Sequence, residues 1–154
     1  MEHTKADQLA DLILAVFQLN GVLTDWGDDF VALEGLSSTR WRMLGALALA
    51  NQSLTTPQIA ARMGVTRQGA QKQLNLLIQK KLVEVHPNPM HKRSPLYALT
   101  PNGQNTFNTI NRRWRIHASQ TASLFNSDDL DTVVKVLTAL IDVHVPKRQE
   151  GGNG

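Results

Sequence analysis

Between Thr55 and Leu99 the chain carries two short amphipathic patterns parted by Gly64, then two strand-forming runs on either side of Pro87-Asn88-Pro89. A glycine set between two such patterns makes a pair of helices meet through a tight turn, and the paired runs beyond them close into a hairpin. The same stretch holds seven basic residues, Arg62, Arg67, Lys72, Lys80, Lys81, Lys92 and Arg93, and one acid, Glu84. That is a local charge of about +6 in a chain whose total is +3. Positive charge gathered on so small a segment is what a surface lying along a DNA backbone requires.

Thr56-Pro57 opens the first of these helices, with Thr as N-cap and Pro where a missing N–H costs nothing. Ile59, Ala60 and Met63 point inward, and Gly64 suits the left-handed conformation that ends a helix. Only Val65 separates Gly64 from Thr66, which caps the next helix, where Ala70, Leu74, Leu77 and Ile78 share one face. A strand from Leu82 to His86, a loop that its prolines keep from being helical, and a return strand from Pro95 to Leu99 complete the outline of a winged helix-turn-helix. The fold class expected is mainly α with a small β-hairpin wing.

A helix in the major groove shows donors and acceptors on one side while its other side holds the domain together. The second helix divides that way, leaving Arg67, Gln68, Gln71, Lys72 and Asn75 exposed. Arg pairs bidentately with guanine and Gln with adenine, so Arg67, Gln68 and Gln71 are the expected base readers, with Lys72 on phosphate or guanine. Thr66 offers its hydroxyl or N–H to a phosphate. The wing tip, His91, Lys92 and Arg93, is placed to follow the backbone or enter a minor groove, whose narrow A·T segments attract Arg. The expected partner is double-stranded DNA. A winged helix used as a protein-interaction module would instead show large apolar anchors on this face, and an RNA binder would show stacking aromatics, of which the stretch has only Tyr97.

Around this lobe, about residues 36–99, lie longer amphipathic segments. The first places Leu9, Leu12, Ile13, Val16 and Phe17 on one stripe and predicts a helix from about Lys5 toward Trp26, weakened at Asn20-Gly21 and with a break at Gly27-Asp28-Asp29. Ser37 caps a helix running to about Asn51. Thr100-Pro101 launches a long helix, and Ser127-Asp128-Asp129 starts a last one in which Leu130, Val133, Val134, Leu137, Leu140, Ile141 and Val145 keep a 3.6-residue period. The apolar surface on residues 5–30 and 100–146 exceeds what a small lobe covers, so these helices are expected to form a homodimer. Length makes residues 1–146 one domain, and the polar, Gly-rich 147–154 a disordered tail.

The 154 residues are 42% apolar and contain no cysteine, which excludes disulfides, thiolate zinc sites and cysteine-based redox sensing. No signal peptide and no eighteen-residue apolar span are read in the sequence, so a cytoplasmic protein without membrane contact is expected. His3, His86, His91, His117 and His144 have no ligand-like spacing, no nucleophile motif or phosphate-binding glycine loop occurs, and neither metal, cofactor nor enzymatic activity is expected.

Taken in order, Leu36-Ser37-Ser38-Thr39-Arg40-Trp41, the run Ile59 to Gln68, Leu77 to Val83, the wing, and Leu99-Thr100-Pro101-Asn102-Gly103 resemble the MarR family of bacterial transcription regulators. The resemblance implies a homodimer on a pseudo-palindromic operator, with recognition helices in successive major grooves and wings in flanking minor grooves. For many members it also implies a small ligand held between the dimerisation helices and the DNA-binding lobe. Two departures stand out: His91-Lys92-Arg93 replaces the usual Asp-Arg-Arg of the wing, and Lys81 stands where Gly usually precedes the strand. An aromatic anion is the effector suited to Trp26, Phe30, Arg40, Trp41, Trp114 and His117, if these line a cleft between the first, second and fifth helices. The competing reading makes Trp41 core and Trp114 an ordinary packing residue. The sign of regulation, repression or activation, is not encoded in such a scaffold, and repression is the reading adopted.

Overall fold

The amphipathic segments become six helices and one hairpin in the computed structural model, which describes residues 2–146. The expected tail at 147–154 lies outside the described residues. The elements are α1 (Lys5–Phe30), a 3-10 turn at Ala32–Glu34, α2 (Ser38–Ala50), α3 (Thr56–Met63), α4 (Arg67–Gln79), β1 (Val83–His86), β2 (Leu96–Leu99), α5 (Pro101–Ala122) and α6 (Ser127–His144). The fold is mainly α with a two-stranded antiparallel wing, in the register Val83 to Leu99 and His86 to Leu96.

Each helix start is explained by a side chain that satisfies an otherwise unpaired N–H. Ser37 Oγ accepts from Arg40 N at 3.2 Å, Thr66 Oγ1 from Gly69 N at 3.0 Å, and Thr100 Oγ1 from Gly103 N at 3.0 Å. The cap of α3 is Thr55 rather than Thr56. Gln58 decides between the two threonines, because its side chain accepts from Thr55 N while Thr55 Oγ1 accepts from Gln58 N, a reciprocal box available only one residue upstream. Pro57 then sits second in the helix, still short of the first carbonyl-bonded N–H.

α1 does not break at Gly27. It continues to Phe30 because Gly27 is a contact point: a Cβ there would stand 2.8 Å from the Ser38 Cβ, so only glycine lets α1 and α2 approach this closely. The adjoining Asp28 Oδ1 accepts from Ser38 N at 2.7 Å, adding a second cap to α2 from outside the helix. Gly103 serves the same purpose in α5, where any side chain would overlap the Leu82 carbonyl.

The core gathers Met43, Leu44 and Leu47 of α2, Leu54, Ile59 and Met63 around α3, Ala70, Leu74 and Leu77 of α4, Val83 and Tyr97 of the hairpin, and Ile110 of α5. Full burial of such side chains contributes roughly 1.5–3 kcal/mol each. Leu54 joins the hairpin through paired backbone bonds with Tyr97, at 3.0 and 2.8 Å, which ties the segment before α3 to β2. Although length suggests one domain over residues 1–146, the packing divides inside α5, one compact unit ending at Asn111 and the next beginning at Arg112.

The terminal helices bury little. α1 buries only Gly27, and α6 has no buried residue. Leu14, Phe17 and Val22 on α1 and Val134 and Ile141 on α6 are exposed. α1 is also long and apolar enough to cross a membrane by length and composition, with a mean hydropathy of 1.2, which corrects the expectation that no eighteen-residue apolar span exists. Gln18, Asn20 and Thr24 interrupt the run and hide its average.

Candidate nucleic-acid interface

The turn between α3 and α4 is set by three residues. Gly64 closes α3 in the left-handed region, φ 67°, and Val65 N donates to Ala60 O at 3.1 Å. Thr66 is extended, φ −70° and ψ 153°, and opens α4. The first turn of α4 therefore projects from the lobe with its N–H groups at the positive end of the helix dipole.

Along α4 the buried residues are Ala70, Leu74 and Leu77. On the opposite side Gln68, Lys72 and Asn75 recur at intervals of four and three residues and are exposed, so they form one stripe along the helix. Arg67 and Gly69 are exposed beside it at the helix start. The side chains of Arg67, Gln68 and Lys72 make no hydrogen bond or ion pair with the described residues. No acid lies on α3 or α4.

Gln71 departs from expectation. It is half-buried rather than exposed, and its amide is engaged on both sides. Oε1 accepts from Thr56 Oγ1 at 2.9 Å, while Nε2 donates to Asn75 Oδ1 at 2.9 Å and to the Tyr97 hydroxyl at 3.2 Å. The physical reason is its position a quarter-turn from Ala70, at the edge of the buried stripe and facing α3 and β2. Neither Tyr97 nor Thr56 was legible as its partner, because both contacts are tertiary.

The wing presents its charges on a braced loop. Asn88, only 8% exposed, donates from Nδ2 to Ser94 O at 2.9 Å and accepts at Oδ1 from Met90 N at 3.1 Å. Ser94 N donates to His91 O at 3.1 Å, so His91, Lys92 and Arg93 stand exposed on a closed turn. Sequence reasoning credited the two prolines with this rigidity and missed Asn88, whose only advance signal was a turn-forming residue between prolines. At the strand end of the wing, Glu84 Oε1 lies 3.1 Å from His86 Nε2. The lone acid of the stretch is thus paired on its own strand.

Lys81 occupies the position flagged as unusual, and it is left-handed, φ 60°. Its N–H donates to Ile78 O at 2.9 Å and Leu82 N donates to Leu77 O at 3.0 Å, the pair of bonds that closes a helix before a strand. A side chain in this conformation costs roughly 1–2 kcal/mol.

The residues expected to hold a ligand fall in two groups. In the first unit, Trp26 stacks on Phe30 at 4.7 Å between ring centroids, and Phe30 meets Trp41 at 5.4 Å. Arg40 reaches α4 instead, where Nη1 donates to Gln73 Oε1 at 3.3 Å. In the second unit, Trp114 and His117 pair with each other at 5.7 Å. Trp26 and Trp41 are thus joined through Phe30, in a small aromatic ladder at the junction of α1 and α2.

The sequence profile of the MarR family matches residues 34–94, from the 3-10 turn through the wing tip. An uncharacterised protein of Mycobacterium tuberculosis is 41% identical over 108 residues, which make up 70% of this chain and 74% of that protein. Among solved structures, a MarR family transcription regulator is 27% identical with a TM-score of 0.74, covering 90% of this chain and 91% of that one. A MepR–DNA complex from S. aureus shares the fold at 17% identity, with a TM-score of 0.74 over 92% of this chain and 99% of that one.

Proposed function

The chain belongs to the MarR family, and from that premise we propose that it is a sequence-specific, double-stranded-DNA-binding transcription regulator, a homodimeric repressor of a pseudo-palindromic operator. The observation that carries this reading is the exposed, acid-free start of α4, where the side chains of Arg67, Gln68 and Lys72 have no hydrogen-bond or ion-pair partner among the described residues, followed in sequence by a braced basic wing. The relative of similar fold solved with DNA supports it by analogy of fold.

In this reading the first turns of α4 enter the major groove. Arg67 and Gln68 meet base edges, Lys72 meets guanine or phosphate, and Thr66 offers donors to a phosphate at the helix start. Lys92 and Arg93, with His91 beside them, approach the adjacent backbone or minor groove on a loop already ordered before binding, which lowers the entropy cost of docking. The exposed apolar faces of α1 and α6 supply the dimer contact, which sets the spacing of the two recognition helices. A dimer also accounts for the apolar character of α1 without a membrane, in a cytoplasmic protein that binds rather than catalyses. A small aromatic effector near Trp26 and Trp41 would act by preferring a dimer whose recognition helices are wrongly spaced, and the operator would weaken effector binding by the same free energy.

Fluorescence anisotropy of the protein against a duplex from its own upstream region and a scrambled duplex, across a range of salt, tests the reading. Preference for the native duplex is expected, with two protomers per site and a steep fall of affinity with salt. Arg67→Ala should weaken the specific complex on the order of tenfold. Equal weak binding to both duplexes would reduce the interface to a basic surface, and no binding at low salt would favour a protein-interaction module.

A further inference from the structure

We infer that Arg42 of α2 clamps a phosphate of the DNA strand at the edge of the groove that α4 enters, its guanidinium held at the turn between α3 and α4 by the carbonyl of Met63. The inference rests on the DNA-binding reading and adds to it a contact from a third helix, outside the basic stretch that begins at Thr55.

Arg42 is exposed, and its Nη2 donates to Met63 O at 2.8 Å. Met63 is the last residue of α3, and the backbone bonds that close this helix go to Ala60 O and Ala61 O, which leaves the Met63 carbonyl to a side chain. A cation is also favoured at the negative end of the helix dipole. Bracing α3 in this way uses one of the five N–H donors that a guanidinium carries in a fixed plane. Nε and Nη1 of Arg42 have no hydrogen-bond or ion-pair partner among the described residues, so the anchored group still has donors for an anion.

The place of the anchor decides which anion it meets. Three residues carry the chain from Met63 to Thr66, a reach of at most about 11 Å even when extended. A major groove is about 12 Å wide, so a group this close to the start of a helix lying in it stands at the rim, where the phosphates are. Arg62 in the last turn of α3 and Arg67 in the first turn of α4 bring two more exposed cations to the same turn, and α2, α3 and α4 carry no acid. Three arginines from three helices without an internal counter-charge repel one another, and a polyanion offsets that repulsion. Nothing beside them holds a strand away, because Gly64 is exposed and a Cβ there would meet no protein atom within 4 Å. Arg42 thus contributes affinity and register, and reads no base.

The salt dependence of binding separates a clamp from a brace, since it counts phosphates and is blind to how well α3 is closed. Anisotropy with the native and the scrambled duplex, across roughly 50 to 200 mM salt, is compared for wild type, Arg42→Gln, Arg42→Ala and Arg42→Lys, each shown to be folded by circular dichroism. With one phosphate lost for each of two protomers, the slope of log affinity against log salt should become shallower by about 1.8 in both neutral variants, so that they lose about tenfold less affinity than wild type over that range. The fall in affinity at low salt should be alike for the two duplexes, and Arg42→Lys, which keeps the charge, should keep the slope. A wild-type slope in Arg42→Gln and Arg42→Ala, however much their affinity falls, would reduce Arg42 to a brace for the end of α3 and overturn the inference. A loss confined to the native duplex, or a slope in Arg42→Lys as shallow as in Arg42→Gln, would overturn it as well. Wild type that binds neither duplex would overturn the regulator reading and this inference with it.

Discussion

The lobe from α2 to the wing and the two terminal helices α1 and α6 use the same apolar residue types to opposite ends. α2 buries Met43, Leu44 and Leu47 within 13 residues, whereas α1 buries one glycine in 26 and α6 buries nothing in 18. Helices of this length derive most of their stability from packing an amphipathic face, so an uncovered face of regular period is a demand for a partner. The contrast separates two properties of the molecule. The lobe covers its apolar residues within one chain, and the outer helices leave theirs uncovered.

The sharpest test of the contrast lies in the core. Leu74→Ala should cost about 3 kcal/mol, read as a lower urea midpoint at unchanged slope, because it empties a fully buried position of the core. Phe17→Ala, at a site 71% exposed, should cost under about 0.5 kcal/mol in the dissociated chain. Equal costs at the two sites would erase the distinction. On α6, Val134→Glu puts a carboxylate on the face assigned to the dimer and should weaken association by about 2 kcal/mol or more, seen by sedimentation as a shift from two protomers to one with the lobe's circular dichroism retained. A variant that still sediments as two protomers would remove α6 from the interface.

Lys81→Gly probes the lobe from the other direction. Relief of the left-handed side chain should raise stability by about 1 kcal/mol, measured by thermal unfolding. The smallest effect belongs to the start of α1. Hydrogen bonds from the Thr4 N–H and hydroxyl hold the Asp7 carboxyl below its ordinary value of 3.8. The stabilisation is present above that ordinary value and is lost as pH falls through the lowered one. Amide protection in the first turn, taken relative to the intrinsic exchange rate at each pH, should fall over that acid range in wild type, whereas Asp7→Asn should already be weakly protected at neutral pH.

Much of this was legible in the sequence because it is local. Ser37, Thr66, Thr100 and Gly64 act within three or four residues of their own positions, and each does what its type predicts. The misreadings share a cause. Gly27 looks like a break until Ser38 is seen against it, and Thr56 looks like a cap until Gln58 is seen to favour Thr55. Gln71 and Asn75 are indistinguishable on a helical projection as polar amides near the outer face. Tyr97, twenty-six residues beyond Gln71, turns one into an internal brace and leaves the other facing outward. Asn88 likewise acquires its role only when Ser94 folds back over it.

The contact at Gly27 has a mechanical consequence. With no side chain to act as a cushion, and with the Asp28 carboxylate gripping the Ser38 N–H at 2.7 Å, α1 and α2 have no slack where they meet. α1 is roughly 39 Å long by its residue count, and this pivot lies near its end. A small displacement at the far turns of α1 arrives at Ser38 as a torque on α2, whose Met43, Leu44 and Leu47 lie in the same core as Ala70, Leu74 and Leu77 of α4. Whatever grips the outer turns of α1 holds the long arm of a lever, and α4, packed in the same core as α2, lies on the side of the short one.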